Sequence, residues 1–338
     1  MNKVQPLAPP DEGDTTRLSQ LLKAGGDDLR LEILKVLEKD SFGVLELCQL
    51  FDVKQSGMSH HLKVLATAKL VTRRKEGNSI FYRRSARAAG DTLDELKRSI
   101  FTCIDALELN DQAKQNIQII YQQRALASRS FFSDNVNRFK QQQDLIAAYD
   151  VYAEHVKELT HACKPPELSL ALEVGPGEGE FLPFLSMRFK QVIALDNSAE
   201  LLDIAKHHCL NSAFSNIEFV LADTTYCHSI PDQLDCAVIN MVLHHTPSPQ
   251  QMFADVSAAL KPGGVLIICD LCQHNQDWAR EACGDLWLGF APQDLGDWAN
   301  VCGLNEGQSS YFALRNGFQI QIREFNKTDI NNGLGQQL

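Results

Sequence analysis

Apolar residues in the first hundred positions recur at two periods. Over residues 27–39 they fall at 29, 31, 33, 34, 36 and 37, behind two acids, which predicts a helix. Gly43 interrupts it, and residues 44–51 predict a second, shorter helix. A third is expected over 55–69, with its polar residues gathered at the N-terminal end. The period then drops to two, because residues 70–74 and 79–84 alternate around Glu76-Gly77-Asn78 as the strands of a hairpin do.

The rest of the chain changes character twice. Residues 110–163 are rich in Gln, Ala and Arg, with no proline before Pro165-Pro166, and predict helices over 111–126 and 136–162 with a break at Ser128-Arg129-Ser130-Phe131-Phe132. Strand-like runs then alternate with helical stretches: 170–174, 191–195, 217–221, 234–240, 265–271 and a last pair, 311–314 and 318–322. Seven strands in that rhythm predict an α/β Rossmann-like domain with a mostly parallel sheet. The expected organisation is therefore 1–107, a helical linker 108–164, an α/β domain 165–325 and a polar, disordered tail 326–338.

The first of these strands runs straight into Gly175, Gly177 and Gly179, spaced two apart. Such a loop lets the backbone approach a ligand closely, and the helix beginning near Phe181 aims its free amides at an anionic group. A dinucleotide fingerprint needs a third glycine where this chain has Glu180. Asp196 closes the second strand 21 residues after Gly175, where an acid can accept both hydroxyls of a ribose.

Charge sharpens the N-terminal picture. The chain carries a net charge of -11, yet residues 54–87 hold nine Lys or Arg against the single acid Glu76. A local +8 on an acidic protein is a local device, and helices around a tight turn followed by a basic hairpin describe a winged helix-turn-helix, an α+β module. No apolar run approaches the roughly 20 residues of a membrane span, and the polar start is no signal peptide, so a cytoplasmic protein without membrane partners is expected. Ten scattered cysteines suit a reducing compartment.

The segment VLELCQLFDVKQSGMSHHLKVLATAKLVTRRKEGNSIFYR resembles the winged helix-turn-helix of the ArsR/SmtB family. The resemblance implies a double-stranded operator DNA as partner, with Gln55, Ser56, Ser59, His60, His61 and Lys63 facing bases and phosphates and Arg73, Arg74 and Arg83 holding the backbone. It also implies a homodimer formed through the first helix and residues 91–107. Metal sensing, the best-known activity of that family, is not expected. Cys48 has no cysteine partner, and 91–95 and 103–105 lack histidine, so no metal ligands are assigned.

The glycine loop, Asp196, Ala222-Asp223-Thr224, DCAVINMVLHH and LKPGG together resemble class I S-adenosylmethionine (SAM) methyltransferases. That resemblance implies SAM or S-adenosylhomocysteine (SAH) as ligand. It would be held by Glu173, Gly175, Gly177, Gly179, Asp196, Asp223, Thr224 and Asn240, with the ligand's ammonium on the acid and the adenine amine on Asp223. His244, with His245 beside it, is the candidate base; the alternative is that both pack and cap the strand. Tyr149, Tyr152 and Phe139 either lid the pocket or pack on the sheet, and Trp278, Trp287, Phe290 and Trp298 either wall an acceptor site or bury area. The later cysteines do not match an arsenic-ligand triad. Two functions follow: a DNA-binding repressor with SAM or SAH as effector, or a methyltransferase of an unknown acceptor with a DNA-binding accessory domain.

Overall fold

The computed structural model describes residues 12–38, 40–76, 79–85, 91–135, 139–210 and 214–328. The chain divides into two compact units, Met1–Ile120 and Tyr121–Leu338.

In the first unit α1 (Glu12–Gly25) and α2 (Asp28–Val36) precede a short strand β1 (Phe42–Gly43), α3 (Val44–Phe51), α4 (Gln55–Thr67), β2 (Val71–Glu76), β3 (Ser79–Arg84) and α5 (Asp94–Asp105). Asp27 starts α2 by accepting a hydrogen bond from the Arg30 amide at 3.0 Å. Glu46 reaches back to the Gly43 amide at 2.7 Å to start α3, and Asp52 ends that helix at φ +52°. These two caps set the tight turn before α4. The wing pairs antiparallel in the order β1-β3-β2, and its tip, residues 77 and 78, lies outside the described residues. Leu21, Ile33, Leu34, Leu47, Met58, Leu62 and Leu65 form the buried interior.

The helical segment differs from the expected pair. α6 (Asp111–Asn135) runs unbroken through Ser128–Phe132, and α7 (Phe139–Ile146) is separated from α8 (Tyr149–Ala162) at Ala147-Ala148. Asn316 decides that break: its side-chain amide donates to the carbonyls of Leu145 (3.1 Å) and Ile146 (2.7 Å), ending α7 from far along the chain.

Beyond them come β4 (Leu170–Val174), α9 (Leu182–Arg188), β5 (Gln191–Asp196), α10 (Ala199–Leu210), β6 (Ile217–Leu221), β7 (Leu234–Asn240), α11 (Pro249–Ala259), β8 (Leu260–Leu271), α12 (Trp278–Cys283), α13 (Pro292–Val301), β9 (Leu304–Ala313) and β10 (Gln319–Lys327). They build a seven-stranded sheet in the order β6-β5-β4-β7-β8-β10-β9. β4 to β8 pair in parallel, and β10 runs antiparallel to both neighbours. The inner stretches of β5, β7 and β8 are covered on both faces, which is why they read as largely apolar runs. The last two strands are longer than the alternation suggested, because β9 is an exposed edge of polar residues and its register with β10 is held by backbone pairing. Asn326 and Lys327 belong to β10, so the expected tail starts too early; residues 329–338 lie outside the described set.

Strand order reverses between β4 and β7. In open α/β sheets a ligand crevice opens at such a point, beyond the carboxyl ends of the strands.

Candidate functional site

In α4 the 58/62/65 stripe of Met58, Leu62 and Leu65 is buried, and this rotates Gln55, Ser56, Ser59, His60 and Lys63 to the outside. His61 is half-buried with Nδ1 3.6 Å from Asp27 Oδ1, so it faces α2 rather than the exposed surface. The wing arginines also divide. Arg73 is exposed, whereas Arg74 pairs through Nε with the fully buried Glu76, and Arg83 donates to Thr72 Oγ1 at 3.3 Å across the hairpin. Arg84 serves the fold, with Nη2 2.7 Å from Asp105 and Nε donating to the Leu34 carbonyl at 2.6 Å. Cys48 is half-buried, and burial raises its thiol pKa, which works against a metal-binding thiolate.

At the switch point of the second unit lies a cavity of about 490 Å³. Its floor is the glycine loop. Gly175 has φ +64°, and a Cβ there would stand 2.6 Å from Val242 Cγ2; Gly179 has φ +83°, and a Cβ there would stand 3.0 Å from Ala205 Cα in α10. Both positions therefore need glycine, one against the loop after β7 and one against a helix. Gly177 shares the positive φ, and it lines the cavity with Gly175.

Glu173, on the last turns of β4, lines the cavity while almost wholly inaccessible to water. Asn240 Nδ2 donates to its Oε1 at 3.4 Å, and its Oε2 has no hydrogen-bond partner among the described residues. Burial pushes its pKa up to about 8, so without a ligand the carboxyl holds a proton near neutrality. Asp196 is raised to about 6 by burial, opposed by the Ser198 and Asn197 amides. An orphaned carboxylate oxygen at one end of the cavity and a half-buried acid at the tip of β5 fit an ammonium and a ribose diol. Asp223 and Thr224 line the same cavity. Asp223 Oδ1 accepts from the Thr225 amide at 3.0 Å, and the Thr224 hydroxyl gives its proton to Asp255 Oδ2 at 2.6 Å.

Seven of the eight residues assigned to the cofactor thus line one cavity; Gly179 instead packs against Ala205 of α10, and the assigned base lies outside the cavity as well. His244 is fully buried behind the wall, with Nδ1 2.9 Å from Asp270 Oδ1. Burial opposes its protonation, but Asp270 and Asp285 outweigh that and hold its pKa at about 8. His245 is the histidine that lines the cavity, its Nε2 3.1 Å from Gln143 Nε2. Burial and the neighbouring His244 hold its pKa well below the ordinary value. One position decides the difference: the two rings pack 4.0 Å apart at the end of a single 3-10 turn, Leu243–His245, yet only His245 reaches the cavity.

Tyr149 and Tyr152 line the cavity, stacked edge to face at 5.8 Å, and the Tyr149 hydroxyl donates to the Glu180 carbonyl at 3.0 Å. The aromatics considered for an acceptor wall divide: Trp298 packs on Phe253 and Phe290, and the buried Trp287 donates from Nε1 to the Thr246 carbonyl, whereas Trp278 is exposed. Reading the sequence missed Gln143, Lys140 and the α6 residues Tyr121, Ser128 and Arg129, which also line the cavity. They lie in a polar helical stretch without a motif, so periodicity gives no signal for them.

Comparison with known proteins agrees with this division. A helix-turn-helix domain family matches residues 26–74, and a methyltransferase domain family matches residues 172–268. The arsenical resistance operon repressor of Staphylococcus aureus is 37% identical over 79 residues, covering 23% of this chain and 76% of the repressor. A ubiquinone biosynthesis O-methyltransferase of Coxiella burnetii is 32% identical over 165 residues, covering 44% of this chain and 70% of that enzyme. Among solved structures, a Burkholderia thailandensis 1,6-didemethyltoxoflavin-N1-methyltransferase is 17% identical with a TM-score of 0.49, covering 62% of this chain and 91% of its own. This chain therefore belongs to the ArsR-type helix-turn-helix regulators through its first unit and to the SAM-dependent methyltransferase fold family through its second.

Proposed function

We propose that the protein is a cytoplasmic DNA-binding repressor whose second unit is a receptor for SAM or SAH. The observation that carries the receptor is the unpartnered, buried carboxylate oxygen of Glu173 at the head of a glycine-floored cavity. Bound nucleoside would set its ammonium against Glu173, its ribose hydroxyls on Asp196 and its adenine near Asp223, with the glycine amides close to its carboxylate. The exposed N-terminal turns of α4 and the exposed Arg73 support contact with base edges and backbone of an operator. His245 supports a receptor over an enzyme, since an imidazole held well below its ordinary pKa is a weak base. We further propose a two-fold dimer through α1 and α5, so that operator half-sites mirror the protein.

α6 begins in residues of the first unit and gives the cavity Tyr121, Ser128 and Arg129. A ligand that orders this helix differently in two states would shift DNA affinity, and linkage requires DNA to shift ligand affinity by the same factor. Fluorescence anisotropy on promoter DNA at fixed salt, with no ligand, with SAM and with SAH, tests the reading. A several-fold shift with either nucleoside is expected, and unchanged tight binding with both would sink it.

A second reading, methyl transfer to a small acceptor, is favoured by Gln143 and the two tyrosines, which extend the cavity past the residues assigned to SAM. Conversion of SAM to SAH in the presence of a cell extract would support it.

A further inference from the structure

We infer that His244, His245 and Asp285 form a binding site for one divalent ion of the zinc class, set behind the cavity wall. Their ligand atoms all lie within 4.8 Å of one another, and all three residues are buried. His244 Nε2 is 4.0 Å and His245 Nδ1 is 3.8 Å from Asp285 Oδ1. An ion centred among three atoms so spaced lies no more than roughly 2.8 Å from each, against about 2.0–2.2 Å for zinc bonds to imidazole and carboxylate. Each donor needs to close by less than about 1 Å to reach bonding distance.

Three features prepare the site. Asp270 fixes His244 through Nδ1, leaving Nε2 directed at the cluster with no hydrogen-bond partner among the described residues. A carboxylate on the far nitrogen is how metal-bound imidazoles are oriented elsewhere. The loop carrying Asp285 is pinned to the histidine turn, because the amides of Leu286 (3.0 Å) and Trp287 (3.1 Å) both donate to the His244 carbonyl. His245 lines the cavity, which supplies a route for the ion. Two imidazoles and a carboxylate without a thiol suit borderline divalent ions rather than soft metalloids, and three protein donors leave a further position open. Occupancy would draw His245 from the Gly284 carbonyl, its 3.3 Å partner at Nδ1, and so set the position of one cavity-lining side chain. None of this depends on which nucleoside, if any, the cavity takes.

The test uses the full chain, freed of metal by chelation and titrated with Zn²⁺ and Co²⁺ by calorimetry and absorption. One equivalent should bind per chain, raise the melting temperature by several degrees, and give a cobalt spectrum without thiolate charge transfer. Asp285→Asn and His245→Gln should each weaken binding at least 100-fold with all ten cysteines in place, and Asp270→Asn by 10- to 100-fold. No stoichiometric uptake by the wild type would overturn the inference whatever the variants do. So would a thiolate band, or uptake unaltered in whichever of the Asp285 and His245 variants folds by circular dichroism.

Discussion

The two units carry their candidate chemistry in opposite environments. On α4 the residues proposed to meet DNA stand outside a stripe of buried Met58, Leu62 and Leu65 and make few contacts with the rest of the fold. In the second unit the residues proposed to hold the nucleoside are the ends of buried strands, and Glu173 and Asp196 have pKa values raised by the burial that positions them. A surface reader can lose a side chain without losing the fold. In a buried receptor a substitution changes stability and binding together, since its recognition groups cost stability until a ligand arrives.

The largest break in this comparison is expected from Gly177→Arg. Filling a cavity lined by this positive-φ glycine should abolish SAM and SAH binding, a loss of at least about 3 kcal/mol, while α4 still binds DNA. Calorimetry and anisotropy on one preparation would read both, and intact nucleoside affinity would show that the cavity is not the receptor.

Glu173→Gln comes next, with an expected loss of about 1.5–3 kcal/mol in nucleoside affinity. In the wild type the folded pKa of about 8 lies above the ordinary value of 4.5. The stability from the protonated carboxyl is therefore fully present below 4.5 and is lost as pH rises through 8. A ligand ammonium needs the ionised form, so affinity should climb with pH toward 8 and then level. Both slopes should vanish in the glutamine variant, and melting curves and titrations at several pH values would check them.

The first unit gives a paired test of similar size. Arg74→Ala should lower the melting temperature, by about 3 kcal/mol of stability, because it removes a partner from the buried Glu76. Arg73→Ala should leave stability alone, weaken DNA binding and reduce the salt slope by about one. If the two arginines behave alike, the division of the wing is mistaken. The smallest effect is expected at Tyr149→Phe, which removes one hydrogen bond to the Glu180 carbonyl at the cavity rim and should cost about 1 kcal/mol of nucleoside affinity.

Much of the molecule could be read before any coordinates, for physical reasons that act locally. A strand buried on both faces must be apolar throughout, and a backbone forced to positive φ selects glycine, so β4 and its loop announce themselves. Asp196 and Asn240 follow because each ends a strand whose apolar run stops there. The α4 stripe and the alternating wing are visible for the same reason: burial on one face writes a period into neighbouring residues.

What only the tertiary structure decided involves partners distant in sequence. α7 ends where Asn316 captures its last carbonyls. His244 turns to Asp270 while His245 faces the cavity, although nothing in the pair His244-His245 tells them apart. Arg74 folds onto Glu76 and His61 onto Asp27, leaving Arg73 and His60 exposed. Asp285 joins the histidines only because a loop some forty residues later bonds back to their turn. Local periodicity reports which face of an element is buried, but the direction of a polar side chain is settled by whichever charge or amide the fold brings within about 3 Å of it.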